Sequence, residues 1–223
     1  MRRGRRTSCA AILVAALLAI GCTSERTLPA DAPTAAAPLP TAAAVVLKEQ
    51  RQYAFPVRGK AQYGRAHHDY PAADIFARCG AAVVAPVSGI VVDVTRTDRW
   101  RGRVDSPRLR GGLSWTLVGD DGVRYYGSHL RRIERSVRPG TWVSAGRRLG
   151  QVGETGNAAG TGCHLHFGIS PVCAAVSDWW VRRGALSPYP ILRAWERGRN
   201  HAPVGAVDRW RMRHGCPRRP TGE

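Results

Sequence analysis

Gly162-Cys163-His164-Leu165-His166-Phe167-Gly168-Ile169 sets two imidazoles two residues apart in a run that reads as a β-strand. Side chains at i and i+2 of a strand leave from the same face, so both rings project into one small space. Neutral imidazole is a common metal ligand and an effective base, and the pair reads as one ligand with a catalytic group beside it. Two histidines packed at a strand edge would give the same spacing. The preceding Gly153-Glu154-Thr155-Gly156-Asn157-Ala158-Ala159-Gly160-Thr161-Gly162 argues for a site, because so glycine-rich a loop builds no core and lets one backbone approach another.

Other segments carry the same short-strand signature. Ala81 to Ala85, Gly89 to Val94, Ser114 to Val118, Val123 to Tyr126, Thr141 to Val143 and Leu149 to Val152 are apolar runs punctuated by Pro86, Asp121-Gly122, Pro139-Gly140 and Gly146. Helical periodicity is sparse. It predicts a short helical turn over Leu130 to Val137 and a longer helix over Tyr189 to Arg197, with Leu192 and Trp195 on one side. The pattern is all-β, an antiparallel β-sandwich or open barrel with a groove, followed by a small C-terminal extension. Between Asp98 and Gly112 lies a basic insertion with Arg99, Trp100, Arg101, Arg103, Arg108 and Arg110. It reads either as a solvated hairpin loop or as the wall of a groove for an extended anionic ligand.

Upstream, Arg2, Arg3, Arg5 and Arg6 precede an uncharged stretch whose apolar heart, Cys9 to Ile20, is too short to span a bilayer as a helix and reads as a signal-peptide core. Ala19-Ile20-Gly21-Cys22 resembles a lipobox, with Ala19 where a leucine is usual; it implies cleavage before Cys22 and a lipid on that cysteine. A secretory signal with an incidental cysteine is the other reading. Thr23 to Ala44, mostly Ala, Pro and Thr without an aromatic residue, cannot bury enough surface to fold and reads as a tether. The expected organisation is a signal peptide over 1–21, a lipid-anchored tether over 22–50, a folded domain over 51–170 and an extension over 171–223. The location expected is the outer face of the cytoplasmic membrane, facing the cell wall.

The formal charge of +18 falls to +14 once the four leader arginines are removed. An exported basic protein meets anionic membrane lipids and wall polymers first, so the charge reads as affinity for the envelope. Neither a zinc-finger spacing nor an RNP-like aromatic strand accompanies it, and nucleic acid is not an expected partner. With Cys9 lost in the leader and Cys22 assigned to lipid, Cys79, Cys163, Cys173 and Cys216 remain. An even count in an exported domain favours two disulfides, and three pairings are open.

Partners for the His164/His166 pair stand in two other motifs. His67-His68-Asp69-Tyr70-Pro71-Ala72-Ala73-Asp74 offers imidazole and carboxylate, and Tyr126-Gly127-Ser128-His129-Leu130 ends a strand on a histidine. A carboxylate and two imidazoles would leave a fourth position open for water, as in catalytic zinc sites.

From roughly Phe55 to Ser170 the chain resembles the M23 metallopeptidases, the lysostaphin or LytM type. The resemblance rests on the early His and Asp, on Ala85-Pro86-Val87-Ser88-Gly89, on Tyr126-Gly127-Ser128-His129-Leu130, on Gly150-Gln151-Val152-Gly153-Glu154-Thr155-Gly156 and on Gly162-Cys163-His164-Leu165-His166-Phe167, in the family's order. It implies a zinc endopeptidase acting on peptidoglycan stem or cross-bridge peptides, with one Zn2+ held by Asp74, His166 and a histidine of the first motif, and with His129 and His164 as catalytic imidazoles. The family spaces its first ligands as His-x-Gly-x-Asp, whereas Tyr70 stands four places before Asp74. A two-residue insertion explains this, with His68 as the expected ligand and His67 as the alternative. With Asp74 and His166 on one metal, Cys79 and Cys163 come into the same neighbourhood; the expected pairs are Cys79-Cys163 and Cys173-Cys216. Trp179, Trp180, Trp195 and Trp210 are expected to pack the extension on the domain, and His201 and His214 to lie at the surface. The glycines and small side chains of Gly156 to Gly162 suit a narrow groove for a thin peptide. A non-catalytic M23-like binding or activator module at the envelope is the competing function.

Overall fold

The computed structural model describes residues 52–67, 70–103, 106–173, 179–182 and 184–219. The leader, Cys22 and the tether, together with His68, lie outside the described residues.

Among the described residues nine strands form one open antiparallel sheet: β1 (Ala61–Gln62), β2 (Ala73–Ala77), β3 (Ala82–Val84), β4 (Gly89–Thr95), β5 (Leu113–Gly119), β6 (Val123–Ile133), β7 (Trp142–Val143), β8 (Arg148–Val152) and β9 (His164–Pro171). The order is β1-β2-β9-β6-β5-β4-β7, with β8 joining β3 to β6. Three helices follow among the described residues, α1 (Trp179–Arg182), α2 (Tyr189–Glu196) and α3 (Val204–His214).

Alternation along the strands divides core from cleft. On β9, Leu165, Phe167 and Ile169 enter the hydrophobic core with Ile75 of β2, Val83 of β3, Trp115 and Leu117 of β5, and Leu149 of β8. Every residue of β9 is buried, so its histidine face is covered as well.

The long strand β6 ties the sheet together. Val123 to Ser128 pair with β9, while Leu130 to Ile133 pair with β8. The sequence predicts a helical turn from Leu130 because Leu130 and Ile133 stand three apart; the structure overturns this. Leu130 and Ile133 are both buried in the core, and pairing with β8 gives the backbone its hydrogen bonds in extended form. Helix α2 lies where periodicity places it, and its Trp195 stacks on Tyr53 at 5.3 Å and meets Tyr125 and Phe167 in the core. Helix α3 buries only Val207, which explains why the sequence shows no apolar stripe for it. Cys79 is joined to Cys163 at the head of β9, and Cys173 to Cys216 beyond α3.

Candidate metal centre and catalytic cleft

Strand register assembles the site. Antiparallel pairing sets Asp74 opposite His166 and Phe76 opposite His164, and on the other side of β9 it sets Ser128 opposite His166. Directly opposed side chains share one face and lie within reach of each other. His166 Nδ1 therefore stands 2.8 Å from Asp74 Oδ1, His164 Nε2 4.0 Å from the same oxygen, and the Phe76 ring 4.9 Å from the His164 ring. His67, from the segment before β2, brings its Nε2 to 3.7 Å from Asp74 Oδ2.

One nitrogen each from His67 and His166 and one oxygen of Asp74 all lie within 4.8 Å of one another. Two imidazoles and a carboxylate are a donor set that zinc accepts, and their convergence on one point fits a metal ion. Of the two candidate histidines in the first motif, His67 is the one described here; the expected ligand His68 falls outside the described residues. Burial works against ionisation of Asp74, but the His166 hydrogen bond and the surrounding imidazoles outweigh it and hold its pKa at about 2, so the carboxylate is ionised at neutral pH.

His129 joins this group through an irregularity. In an unbroken strand Ser128 and His129 would face opposite sides, yet both line the cleft. His129 has φ +66°, the only non-glycine residue at positive φ among those described. The register of β6 against β5 shifts at this point, with Leu113 opposite Leu130 but Trp115 opposite Gly127. This bulge turns the His129 ring onto the side of its neighbour, 4.9 Å from the His164 ring. His129 N–H donates to the Gly111 carbonyl at 3.0 Å, which holds the bulge in place.

Both imidazoles are presented alike. His129 Nδ1 is 2.8 Å from the Thr155 carbonyl and His164 Nδ1 is 2.8 Å from the Gly162 carbonyl. A carbonyl only accepts, so each Nδ1 carries the proton and each Nε2 is left with its lone pair. Burial, followed by the charges of His166 and His164, pushes the His129 pKa down to about 3, and the ring is neutral at neutral pH.

These groups line a cleft of about 350 Å³. Its other walls include Tyr70, Tyr126, Arg108, Arg110, Asn157, Thr161 and Trp179. Tyr70, which stands where the family spacing would put the first histidine, brings its hydroxyl to 3.5 Å from His166 Nε2, on the side of the ring away from Asp74. Trp179 was expected to pack the extension; it is buried and forms part of the cleft wall, with Trp180 edge-on against it at 5.7 Å. Nothing in the residue type separates a core tryptophan from a cleft one, whereas the odd spacing of Tyr70 before Asp74 was a usable signal. His201 and His214 are exposed and are not among the residues lining this cleft.

Residues 68–177 match the family model of peptidase family M23. This domain belongs to that family. The chain is 30% identical over 139 residues to an L-Ala–D-Glu endopeptidase of Bacillus subtilis, an alignment covering 60% of this chain and 37% of that relative. Among solved structures it resembles the catalytic domain of lysostaphin from Staphylococcus simulans, with 27% identity, 60% of this chain and 90% of that one covered, and a TM-score of 0.44. A LytM protein of Ruminococcus gnavus aligns with a TM-score of 0.50 at 22% identity, covering 67% of this chain and 62% of that one. The open antiparallel sheet of the M23 domain agrees with that likeness in fold.

Proposed function

We propose that the M23 domain is a zinc-dependent endopeptidase cutting peptide bonds in bacterial peptidoglycan. The observation that carries this reading is the convergence in one cleft of a His67-Asp74-His166 donor set and two imidazoles whose Nε2 atoms are both left as acceptors. The endopeptidase activity in the name of the Bacillus subtilis relative supports a peptide substrate.

A zinc ion held by Asp74, His166 and a histidine of the His67-His68 pair would polarise the scissile carbonyl and lower the pKa of water to about 7. His129 or His164 takes a proton from the attacking water at Nε2 as the water oxygen bonds to the carbonyl carbon. The other imidazole, when protonated, donates a hydrogen bond to the carbonyl oxygen as it gains negative charge. The proton taken from water is then delivered to the leaving nitrogen as the C–N bond breaks. The Thr155 and Gly162 carbonyls stabilise imidazolium on these rings, because each accepts the Nδ1 proton throughout. No helical His-Glu-x-x-His motif is present in the sequence, so the base is assigned to a histidine.

Incubation of the zinc-loaded domain with purified peptidoglycan tests this. Mass spectrometry of the soluble fragments is expected to show one new amino terminus per cut; an unchanged wall digest would remove the hydrolase reading.

The proposed setting is the outer face of the cytoplasmic membrane, with a lipid on Cys22 and a tether of about 22 extended residues holding the domain toward the wall. Cys22→Ala is expected to release the protein from membranes or leave its leader uncleaved. Unchanged fractionation and unchanged intact mass would refute the anchor.

A further inference from the structure

We infer that Tyr70 is a positioning residue for the metal centre, its ring bracing His67 and its hydroxyl holding His166 in the tautomer that offers Nδ1 to zinc. The inference rests on the zinc reading of the donor set above. It adds to that set the side chain standing where the family's spacing has a histidine.

Three rings meet at the donor set. Tyr70 packs on His67, with ring centroids 4.4 Å apart. It meets His166 edge-on at 5.6 Å, and His67 and His166 are themselves edge-on at 5.1 Å. One side chain therefore touches both histidines whose nitrogens converge with Asp74. The backbone that carries it is fitted to the fold. The Pro71 carbonyl lies against Gly184 of the C-terminal extension, where φ is +133° and a Cβ would stand 2.2 Å from that oxygen, so glycine there permits the approach. Ala72 and Ala73, which follow Pro71 and lead directly to Asp74, are buried. Tyr70 is thus set at the start of the short run that delivers Asp74 to β2.

The chemistry of His166 gives the hydroxyl its task. Nδ1 is the nitrogen at 2.8 Å from Asp74 Oδ1, on the side of the carboxylate donor. A neutral imidazole that gives one nitrogen's lone pair to a metal carries its proton on the other, and an oxygen acceptor on that second N–H fixes both tautomer and ring orientation. His166 is 3% exposed, so the protein must supply that acceptor. The Tyr70 hydroxyl oxygen stands 3.5 Å from Nε2. A hydroxyl both donates and accepts, so it serves Nε2 in either tautomer, whereas a phenylalanine ring serves it in neither.

The test is zinc affinity of the full chain, measured by competition with a chelator. Tyr70→Phe keeps the ring and removes the hydroxyl; it is expected to bind zinc roughly 10-fold more weakly. Tyr70→Ala removes both and is expected to lose roughly 100-fold, the range that partners of metal ligands command. Nitrogen–proton NMR spectra of the imidazoles in the zinc-loaded wild type are expected to show a slowly exchanging Nε2–H on His166 that is lost in Tyr70→Phe. The Nδ1–H signals of His129 and His164, held on the Thr155 and Gly162 carbonyls, are expected to persist, whereas a generally damaged protein would lose them as well. Wild-type zinc affinity in Tyr70→Phe would overturn the inference. So would a His166 protonated at Nδ1 in the zinc-loaded wild type, an observation that requires no variant to fold. Failure of the wild type to bind zinc would overturn the donor-set reading and this inference with it. Affinity is read without substrate, so a protein that binds zinc and leaves peptidoglycan intact fails the peptidase reading alone.

Discussion

His164→Ala is expected to keep about one equivalent of zinc while its turnover on peptidoglycan falls by roughly 10² to 10⁴, the usual worth of a positioned acid or base. His129→Ala is expected to behave in the same way. Both rings sit on carbonyls through Nδ1 and turn Nε2 toward the cleft, and neither belongs to the His67-Asp74-His166 donor set. Removing either leaves the metal donors in place. His129→Ala carries one further cost, since a residue at φ +66° on a strand bulge is retained there by its hydrogen bonds and by the ring's contact with Thr155. His129→Asn tolerates that backbone better and separates loss of the base from loss of the bulge. Parent-rate cleavage by both alanine variants would end the assignment of catalytic histidines and favour a binding or activator module.

Asp74→Ala and His166→Ala are expected to lose both metal and activity. The two side chains are a directly opposed cross-strand pair at 2.8 Å, and each supplies one of the three converging donors. Two donors hold zinc far less firmly than three. Metal analysis after dialysis checks this, with circular dichroism to establish that the sheet persists; activity without zinc in either variant would contradict the assignment. The same assay decides between His67 and His68. The donor set found here predicts that His67→Ala loses zinc, whereas the insertion argument from sequence predicts that His68→Ala does.

Strand β9 was legible because alternation is a property of the strand itself: His164 and His166 share one face whatever lies around them. The pairing of Asp74 with His166 was reachable only through resemblance, because strand register depends on contacts 92 residues apart in sequence. Leu130 to Ile133 misled because Leu-Arg-Arg-Ile carries helical spacing, and pairing with β8 decided its form. The left-handed backbone of His129 left no mark on the sequence, since glycine is the residue that announces such a conformation. Arg108 and Arg110 were visible as charge, but either solvent or a groove could have received them; the hydrogen bond that Gly156 N–H donates to Asp98 holds that segment as a cleft wall.

The most direct test is a paired measurement on one wild-type preparation: zinc content per chain, and release of peptide fragments from purified peptidoglycan, before chelation, after it and after zinc is restored. The account predicts close to one zinc per chain with cleavage, then neither, then both again. A metal-free protein that cleaves at an unchanged rate, or a fully zinc-loaded one that leaves peptidoglycan intact, would contradict it.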